Sequence, residues 1–591
     1  MNQLPLLIRK RPGSISTNPK YFKTESDDSK LPQLKNYDIA IDYYTKGINN
    51  NKSNLYLLIK RAICYLGKGY YTLALKDALR TIEIDPKFAK GYYVASLAYL
   101  EMYDLERAEN FITDKTKNNN PRLVYLLEKT KKEIQRKCLK FRNYPKYLYF
   151  LKALYKCDSF FPKLEIHFYS DDSRGILAKA PIKKDEVIMT IPKSCLISLE
   201  IAGATPIGKE IKQFMYRELN SPKHCLLSSY FLSEEKNEKW KFYFDLFPKD
   251  FSIFPVFYTE KELELLQGSP FLRQIFEKRL EMKSDYDTIC NHIPSFSKFS
   301  YIKFLKARLI ISSRIFGITM RGINTDVLAP FADLLNHKRP RQTNWYYDDA
   351  LDSFVIQAIE DIPEGSEIFD SYGRKTNSRF LLNYGFVLED NDANEYLLTV
   401  QFTDNYPLYN KKQKFLNKDK DFTKTFKLNT NFEESDLNSL LSFLRLILFD
   451  DDINILINSF WTSKEQTGYD SNMYNTFYNS VAPISKELEI KVLKHFHFLL
   501  KDALKQYPTT LEEDRMILKK KKNLSYNIKN CIILVMSEKK VLHYFIDFCE
   551  YCLKLFKMSE IQIISQINND YKNYEIQCKE YIEKVLLKLI D

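Results

Sequence analysis

The chain is poor in the residues that build several common architectures. It has 15 glycines and 3 tryptophans in 591 residues, and glycine is too sparse for a collagenous or low-complexity chain. No run of about 18 apolar residues occurs, which argues against a membrane-spanning helix. Met1 to Ser14 lacks the apolar core of a secretory signal, so an intracellular protein is expected, cytoplasmic or nuclear. The ten cysteines form no two CxxC pairs at metal-ligand spacing; the close pair Cys549 and Cys552 sits in an apolar helical stretch. No metal site is expected, and free thiols in a reducing compartment are.

What is present points to a folded protein. Hydrophobic residues make up 45% and aromatic residues 14%, led by 41 Tyr and 41 Phe, so disorder should be confined to ends and linkers. The net charge of +13 arises from 89 basic and 76 acidic residues interspersed along the chain, which argues against nucleic acid as a partner. The densest basic run, Lys519 to Lys522, reads as a solvated helix face or loop, or as a docking or import patch.

Residues 1–34 carry Pro, Ser, Asn and charge and read as a flexible arm. Over 35–136 the pattern is helical, and Ala40, Ala74 and Ala108 recur at a 34-residue interval, as do Ala62 and Ser96. Small residues there let paired helices approach, and Asp85-Pro86 ends a unit where proline blocks continuation. This is the signature of tetratricopeptide (TPR) repeats, about two and a half of them, against the plainer alternative of a helical hairpin with coincident alanines. Repeats of this kind form a protein-docking surface or support the next domain.

A basic connector over 137–160 leads into alternating patterns such as Ile188-Met189-Thr190-Ile191, closed by Pro192. Helical periodicity returns over about 200–325, and short strands reappear afterwards, for example Ser353 to Ala358 before Ile362-Pro363-Glu364-Gly365. Two β segments flanking a helical insert should fold as one domain over 161–392. Residues 393–591 read as charged, amphipathic and helical throughout.

The sharpest local signal is Asp333-Leu334-Leu335-Asn336-His337, followed later by Ser371-Tyr372-Gly373. An Asn-His pair alone is weak, since a loop histidine is commonly a satisfied polar residue. It gains force from Ser313-Arg314 before it and from Asn383-Tyr384-Gly385-Phe386 after it. Together with Ser173-Arg174-Gly175-Ile176-Leu177, Glu186-Val187, Ile191-Pro192-Lys193, Glu367 to Gly373 and Asn377, this ordered set resembles the SET-domain methyltransferases. The large insert, and Tyr507 to Asp514 followed by Leu518, are similar to the branch of the Rubisco large-subunit methyltransferase and the actin-histidine methyltransferase. The resemblance covers about 160–575.

It implies a multidomain α+β chain: α-helical TPR repeats, a β-rich SET domain with a helical insert, and an α-helical substrate-binding domain. The cofactor implied is S-adenosylmethionine, with no metal, and the partner implied is a protein substrate. A protein docked on the repeats is a further expected partner, and no membrane is. By the same resemblance Gly175 and Leu177 would contact the cofactor through the main chain, and Glu200 would take its amino group unless it is a surface acid at a helix start. Arg314 would hold the cofactor carboxylate, for which its donor fork is shaped, or form a structural ion pair. Asn336 and His337 would contact adenine and the methionine part, and Phe386 would wall the adenine or fill the core.

Tyr372 is the expected catalytic residue, its hydroxyl lying beside the transferring methyl and the incoming nitrogen. Phe316 would face the target side chain, where an apolar ring suits a lysine stem better than an imidazole that needs a hydrogen bond. Protein-lysine N-methylation is therefore the favoured activity. Its rivals are protein-histidine methylation, with an actin-like target, and a catalytically silent TPR/SET scaffold.

Overall fold

The computed structural model describes residues 37–113, 121–170, 173–415, 422–431, 434–452, 455, 482–520, 523–570 and 581–589. The arm expected over 1–34, and Lys521 and Lys522 of the basic run, lie outside them. By its internal contacts the chain divides into two units, Met1–Pro248 with Asp285–Tyr372, and Lys249–Ser284 with Gly373–Asp591. The division thus falls at Tyr372 and passes through the insert, where the sequence pattern suggests one domain running to 392.

The first unit opens with seven helices: α1 (Tyr37–Asn50), α2 (Leu55–Lys68), α3 (Tyr71–Ile84), α4 (Ala89–Glu101), α5 (Leu105–Thr113), α6 (Pro121–Phe141) and α7 (Pro145–Lys156). Local chemistry sets their ends. Asn54 caps α2 by accepting from the Tyr56 and Leu57 amides at 3.1 and 3.2 Å. Gly69 closes α2 at φ 82°, a left-handed cap, and a Cβ there would meet Pro162 at 2.4 Å, so both conformation and space require glycine.

Neighbouring helices of α1 to α5 pack pairwise. Ala62, Ala74, Ser96 and Ala108 are fully buried where the helices meet, and the Ser96 hydroxyl donates to the Ala108 carbonyl at 2.9 Å. Because the Ala74 side chain is fully buried in a cluster with Ile59, Ala62 and Val94, Ala74→Leu is expected to cost about 1–3 kcal/mol by overpacking. A urea midpoint unchanged from wild type would show that the α2–α3–α4 interface is looser than its burial indicates. Glu101 at the end of α4 accepts from Lys137 of α6 and, at 3.1 Å, from Lys179, tying the helices to the β-rich part that follows.

That part contains β1 (Leu164–Phe168), β2 (Arg174–Ala178), β3 (Val187–Pro192), β4 (Ile197–Ser198) and helix α8 (Leu199–Ala204), capped by the Ser198 hydroxyl. After the insert come β5 (Ile315–Met320), β6 (Ile323–Leu328), β7 (Asn336–His337), β8 (Thr343–Asp348), β9 (Ser353–Ala358) and β10 (Phe369–Asp370). The returning strands therefore begin at Ile315, inside the stretch expected to be helical. β5 and β6 form a hairpin across Arg321 and Gly322, both at positive φ, as a two-residue primed turn demands.

The strands make small sheets rather than one large one: β1–β2, β3–β9–β8, β4–β6–β5, and the parallel pair β7–β10. Isolated bridges from Leu177 to Glu367 and from Ile182 to Ile362 join early and late segments. The insert is helical, with Pro222–Glu234, Glu238–Phe244 and Tyr301–Arg314. Inside it Arg308 and Asp285, both fully buried, pair at 2.7 Å.

The second unit has its own core, built on helices Leu437–Leu448, Lys486–Lys505 and Tyr526–Leu555. It is not helical throughout, which corrects the sequence expectation. Glu395–Phe402 and Phe422–Asn429 pair antiparallel, and Tyr396, Leu398, Val400 and Phe402 turn into the core with strand period. A buried pair, Arg445 with Glu489 at 2.7 Å, also receives the Tyr581 hydroxyl.

Candidate active site

The segment before Asn336 is shaped by Phe331. This residue sits at φ 77° and ψ −42°, a conformation that costs a bulky side chain about 1–3 kcal/mol. Its fully buried ring, stacked on Phe161 with centroids 4.2 Å apart, offsets that cost. The chain then makes one 3-10 turn, Ala332–Leu334, which carries Asp333 inward. Asp333 Oδ2 accepts from the Tyr243 hydroxyl at 2.8 Å and from Arg314 Nη1 at 2.7 Å, with the carboxylate fully buried. The Tyr243 hydroxyl is held far above its usual range by burial and by the Asp333 charge.

Beyond the turn, β7 pairs parallel with β10, setting Asn336 opposite Phe369 and His337 opposite Asp370. This short ladder brings Tyr372 to the Asn-His pair. The Tyr372 amide donates to His337 Nδ1 at 3.0 Å, and the two rings stack with centroids 5.1 Å apart. An Nδ1 that accepts places the proton of the neutral imidazole on Nε2. The Tyr372 hydroxyl donates to the Leu335 carbonyl at 2.8 Å.

Asn336 is fixed by its side-chain amide, which donates to the Arg174 carbonyl at 2.8 Å and to Glu367 Oε1 at 2.7 Å. Arg174 in turn donates from Nη1 to the Leu334 carbonyl at 2.8 Å, and Tyr169 donates to Glu367 Oε2 at 2.7 Å. Gly175 lies within strand β2 rather than in a loop. A Cβ there would stand 2.3 Å from Glu367 Oε1, so the space that glycine leaves is taken by this carboxylate.

Arg314, Asn336, His337 and Tyr372 thus share one connected group, with Gly175 beside it. Arg314 pairs through Nη1 with the Asp333 carboxylate. Leu177 is half-buried in β2, bridged to Glu367. Glu200 stands in the first turn of α8 with 70% of its side chain exposed, paired with Lys193 at 3.1 Å, which matches the surface-acid alternative. Phe316 is buried against Trp345 and Phe354, with centroids at 5.7 and 5.2 Å, so its ring is part of an aromatic cluster. Phe386 belongs to the second unit, where it stacks on Phe380 at 5.0 Å.

Four members of the site escaped sequence reasoning as individuals. Arg174 and Glu367 stand inside motifs whose order is legible, but only the fold reveals that they meet at Asn336. Tyr243 lies in an aromatic run of the insert with no local signal. Asp370 is the fourth, a carboxyl 2% exposed that receives the Thr343 hydroxyl at 3.2 Å.

Burial raises the Asp370 carboxyl from 3.8 to about 6, with the Ser371 amide and the Thr343 hydroxyl opposing the shift. The folded state therefore holds this proton more tightly than the unfolded state. Below pH 3.8 both states are protonated and the group is neutral to stability. Between about pH 4 and pH 6 the folded state loses up to about 3 kcal/mol relative to the unfolded one, and the loss persists above. Asp370→Asn is expected to remove that slope, read from urea midpoints across this pH window; an unchanged slope would mean that Asp370 ionises as an exposed carboxyl does.

Comparison with known proteins agrees with this geometry. Residues 173–373 match the SET domain family, and residues 403–542 match the Rubisco LSMT substrate-binding family. The chain therefore carries a SET domain followed by a Rubisco LSMT substrate-binding domain. Its relatives include actin-histidine N-methyltransferase of Homo sapiens, 25% identical over 392 residues that make up 63% of each chain. Another is the chloroplastic fructose-bisphosphate aldolase-lysine N-methyltransferase of Arabidopsis thaliana, 26% identical over 393 residues, 62% of this chain and 75% of that one. The chain thus spans less than two thirds of the actin-histidine relative.

Among solved structures, the SET domain of LSMT bound to methyllysine and AdoHcy superimposes with a TM-score of 0.56 at 20% identity, over 74% of this chain and 99% of that one. Rubisco LSMT bound to AdoMet gives 0.56 at 21%, over 73% and 98%. Among the described residues no helix is long and apolar enough to cross a membrane.

Proposed function

We propose that the chain is a protein-lysine N-methyltransferase that takes its methyl group from S-adenosylmethionine, acting on a protein that is not a histone. The observation that carries this reading is the pairing of β7 with β10, which brings the Tyr372 amide onto His337 while the Tyr372 hydroxyl rests on the carbonyl of Leu335, the residue before Asn336. The cofactor is a zwitterion at its methionine end, and the donor set suits one. Asp333 Oδ1 is buried with no hydrogen-bond donor, an acceptor suited to an ammonium. Arg314 spends Nη1 on Asp333 and keeps further N–H groups for a carboxylate. Asn336 and His337 would hold the remainder, with main-chain contacts from Gly175 to Leu177.

The bound cofactor supplies a methyl group on a sulfonium. The chain's own part is positioning and charge. Because the Tyr372 hydroxyl gives its proton to Leu335, its oxygen faces the site as an acceptor only. It can therefore receive an N–H of the incoming amine and turn the lone pair toward the methyl, without becoming a tyrosinate. A lysine, ordinarily near pKa 10.4, must arrive neutral, and an aromatic lining disfavours the ammonium. The Phe316, Trp345 and Phe354 cluster offers no free hydrogen-bonding group for an imidazole, since Trp345 Nε1 already donates to the Gly317 carbonyl. That favours lysine over the histidine target of the actin-directed relative.

The N-terminal helices are proposed to be TPR-like repeats that dock a protein, substrate or partner, in the cytoplasm or nucleus. The buried small residues at a 34-residue interval support this. Calorimetry with S-adenosylmethionine tests the enzyme: wild type is expected to bind at micromolar level, and Asn336→Ala to lose binding. Mass spectrometry of modified peptides then identifies lysine or histidine as the acceptor. Absence of binding by a folded wild type would leave the scaffold as the better reading.

A further inference from the structure

Given the lysine-methyltransferase reading, on which this depends, we infer that the loop 338–341 between β7 and β8 selects acceptor lysines with acidic neighbours in their protein. Lys338, Arg339 and Arg341 put three positive charges into four residues, and no acidic residue stands in the chain between Asp333 and Asp348. The run follows Asn336-His337 directly, so its place is fixed by the same short ladder that brings Tyr372 to His337.

The loop is anchored at both ends. The Lys338 amide donates to the Asp370 carbonyl at 2.9 Å, which carries the β7–β10 pairing one bond further. Gln342 Oε1 accepts from the Phe369 amide at 3.1 Å, and the Gln342 carbonyl accepts from the Ile359 amide at 3.0 Å. Pro340 fixes one backbone angle between these anchors. A peptide that reaches the loop therefore meets cations already in place, and little ordering entropy is lost on binding.

The two exposed cations of the loop rest on aromatic rings beside the site. Lys338 Nζ lies over Phe369, the residue opposite Asn336, at 5.2 Å from the ring centroid, and the Arg341 guanidinium lies over Trp345 at 4.9 Å. Trp345 in turn packs on Phe316, the ring expected to face the target side chain, at 5.7 Å. Among the described residues neither Lys338 nor Arg341 forms an ion pair. Arg341 donates from Nη1 to Asn344 Oδ1 at 3.0 Å and keeps further N–H groups. The acids nearby serve other donors: Glu360 accepts from the Gln342 side chain at 2.8 Å, and the buried Asp370 receives the Thr343 hydroxyl.

Charge decides what these cations serve. S-adenosylmethionine sets one carboxylate against an ammonium and a sulfonium, so it gains nothing from more positive charge. A nucleic-acid strand is held by cations that track many phosphates, and this loop is too short for that. Carboxylates on the polypeptide that carries the acceptor lysine are the complementary partner, and a guanidinium fork suits them. An extended peptide advances about 3.3 Å per residue, so cations next to His337 reach positions within about three residues of the acceptor.

The test is initial-rate kinetics of the full chain on peptides holding one lysine flanked by Asp and Glu, by Ser and Gly, or by Arg, with fluorescence anisotropy of the same peptides alongside. Wild type is expected to favour acidic over neutral flanks about tenfold or more in kcat/KM, less so as salt is raised. The double variant Lys338→Glu/Arg341→Glu is expected to reverse the order and favour arginine flanks, a gain that a misfolded chain cannot show. Equal kcat/KM for acidic and neutral flanks, an unchanged order in the double variant, or no peptide binding would overturn the inference. So would tighter binding of a single-stranded RNA oligonucleotide than of the acidic peptide. A chain that ranks the peptides in this order by anisotropy yet transfers no methyl group would refute the methyltransferase reading and leave the loop's preference standing.

Discussion

Tyr372→Phe is expected to lower turnover of methyl transfer by about a hundredfold while leaving S-adenosylmethionine affinity within a few-fold of wild type. The substitution removes one oxygen and keeps the ring, so the stack on His337 at 5.1 Å and the amide bond to His337 Nδ1 survive. What disappears is an acceptor aimed by Leu335, and that acceptor is useful only when an amine approaches the methyl. An interaction felt in the transition state and not in the bound cofactor lowers kcat and kcat/KM together and spares binding. The Leu335 carbonyl also loses its donor, at a cost of about 1–3 kcal/mol in stability, so the variant's unfolding midpoint has to be measured alongside. Full turnover in a folded Tyr372→Phe protein would remove Tyr372 from the chemistry and the proposed mechanism with it.

The parts of this site legible in the sequence are those whose spacing is local or whose partner carries its own motif. Asn336-His337 and Tyr372 stand out because each sits in an unusual string, and two-residue strands suffice to join them. The helical interval was legible for a similar reason: Ala62, Ala74, Ser96 and Ala108 are small because helices touch there. The partners of Asp333 were not legible. Tyr243 reaches it from the insert and Arg314 from the end of another helix, and nothing in the neighbouring sequence encodes which hydroxyl or guanidinium will arrive.

Gly175 shows a subtler limit. Sequence tells that a close approach needs a glycine, but the approaching group is Glu367 from the chain itself. The strand Glu395–Phe402 has buried residues that alternate, but the charged helical stretches that follow it set the dominant period of the whole segment. Phe316 and Phe386 illustrate the ambiguity of aromatics: both pack against other rings, and an alternation of apolar residues cannot separate a core ring from one that lines a pocket.

Asp333→Ala is expected to destabilise the first unit by about 3–5 kcal/mol and to abolish cofactor binding, a larger structural effect than any other single change in the site. The carboxylate is fully buried and serves two donors, Arg314 Nη1 at 2.7 Å and the Tyr243 hydroxyl at 2.8 Å. Removing it leaves a guanidinium with 16% of its side chain exposed and no counter-charge from this carboxylate, and it strands a buried hydroxyl. The damage would spread along the chain, because Asp333 closes the turn that positions Leu335 and Asn336. Asp333→Asn separates charge from hydrogen bonding. It can still accept from Tyr243 but no longer neutralises Arg314, so its urea midpoint should fall between those of wild type and Asp333→Ala. Equal midpoints for Asp333→Asn and wild type would mean that the charge contributes nothing to stability and that the hydrogen bonds alone hold the turn. A midpoint near wild type for Asp333→Ala would mean that Phe331 packing fixes the loop without the ion pair, leaving Asp333 available mainly to the cofactor.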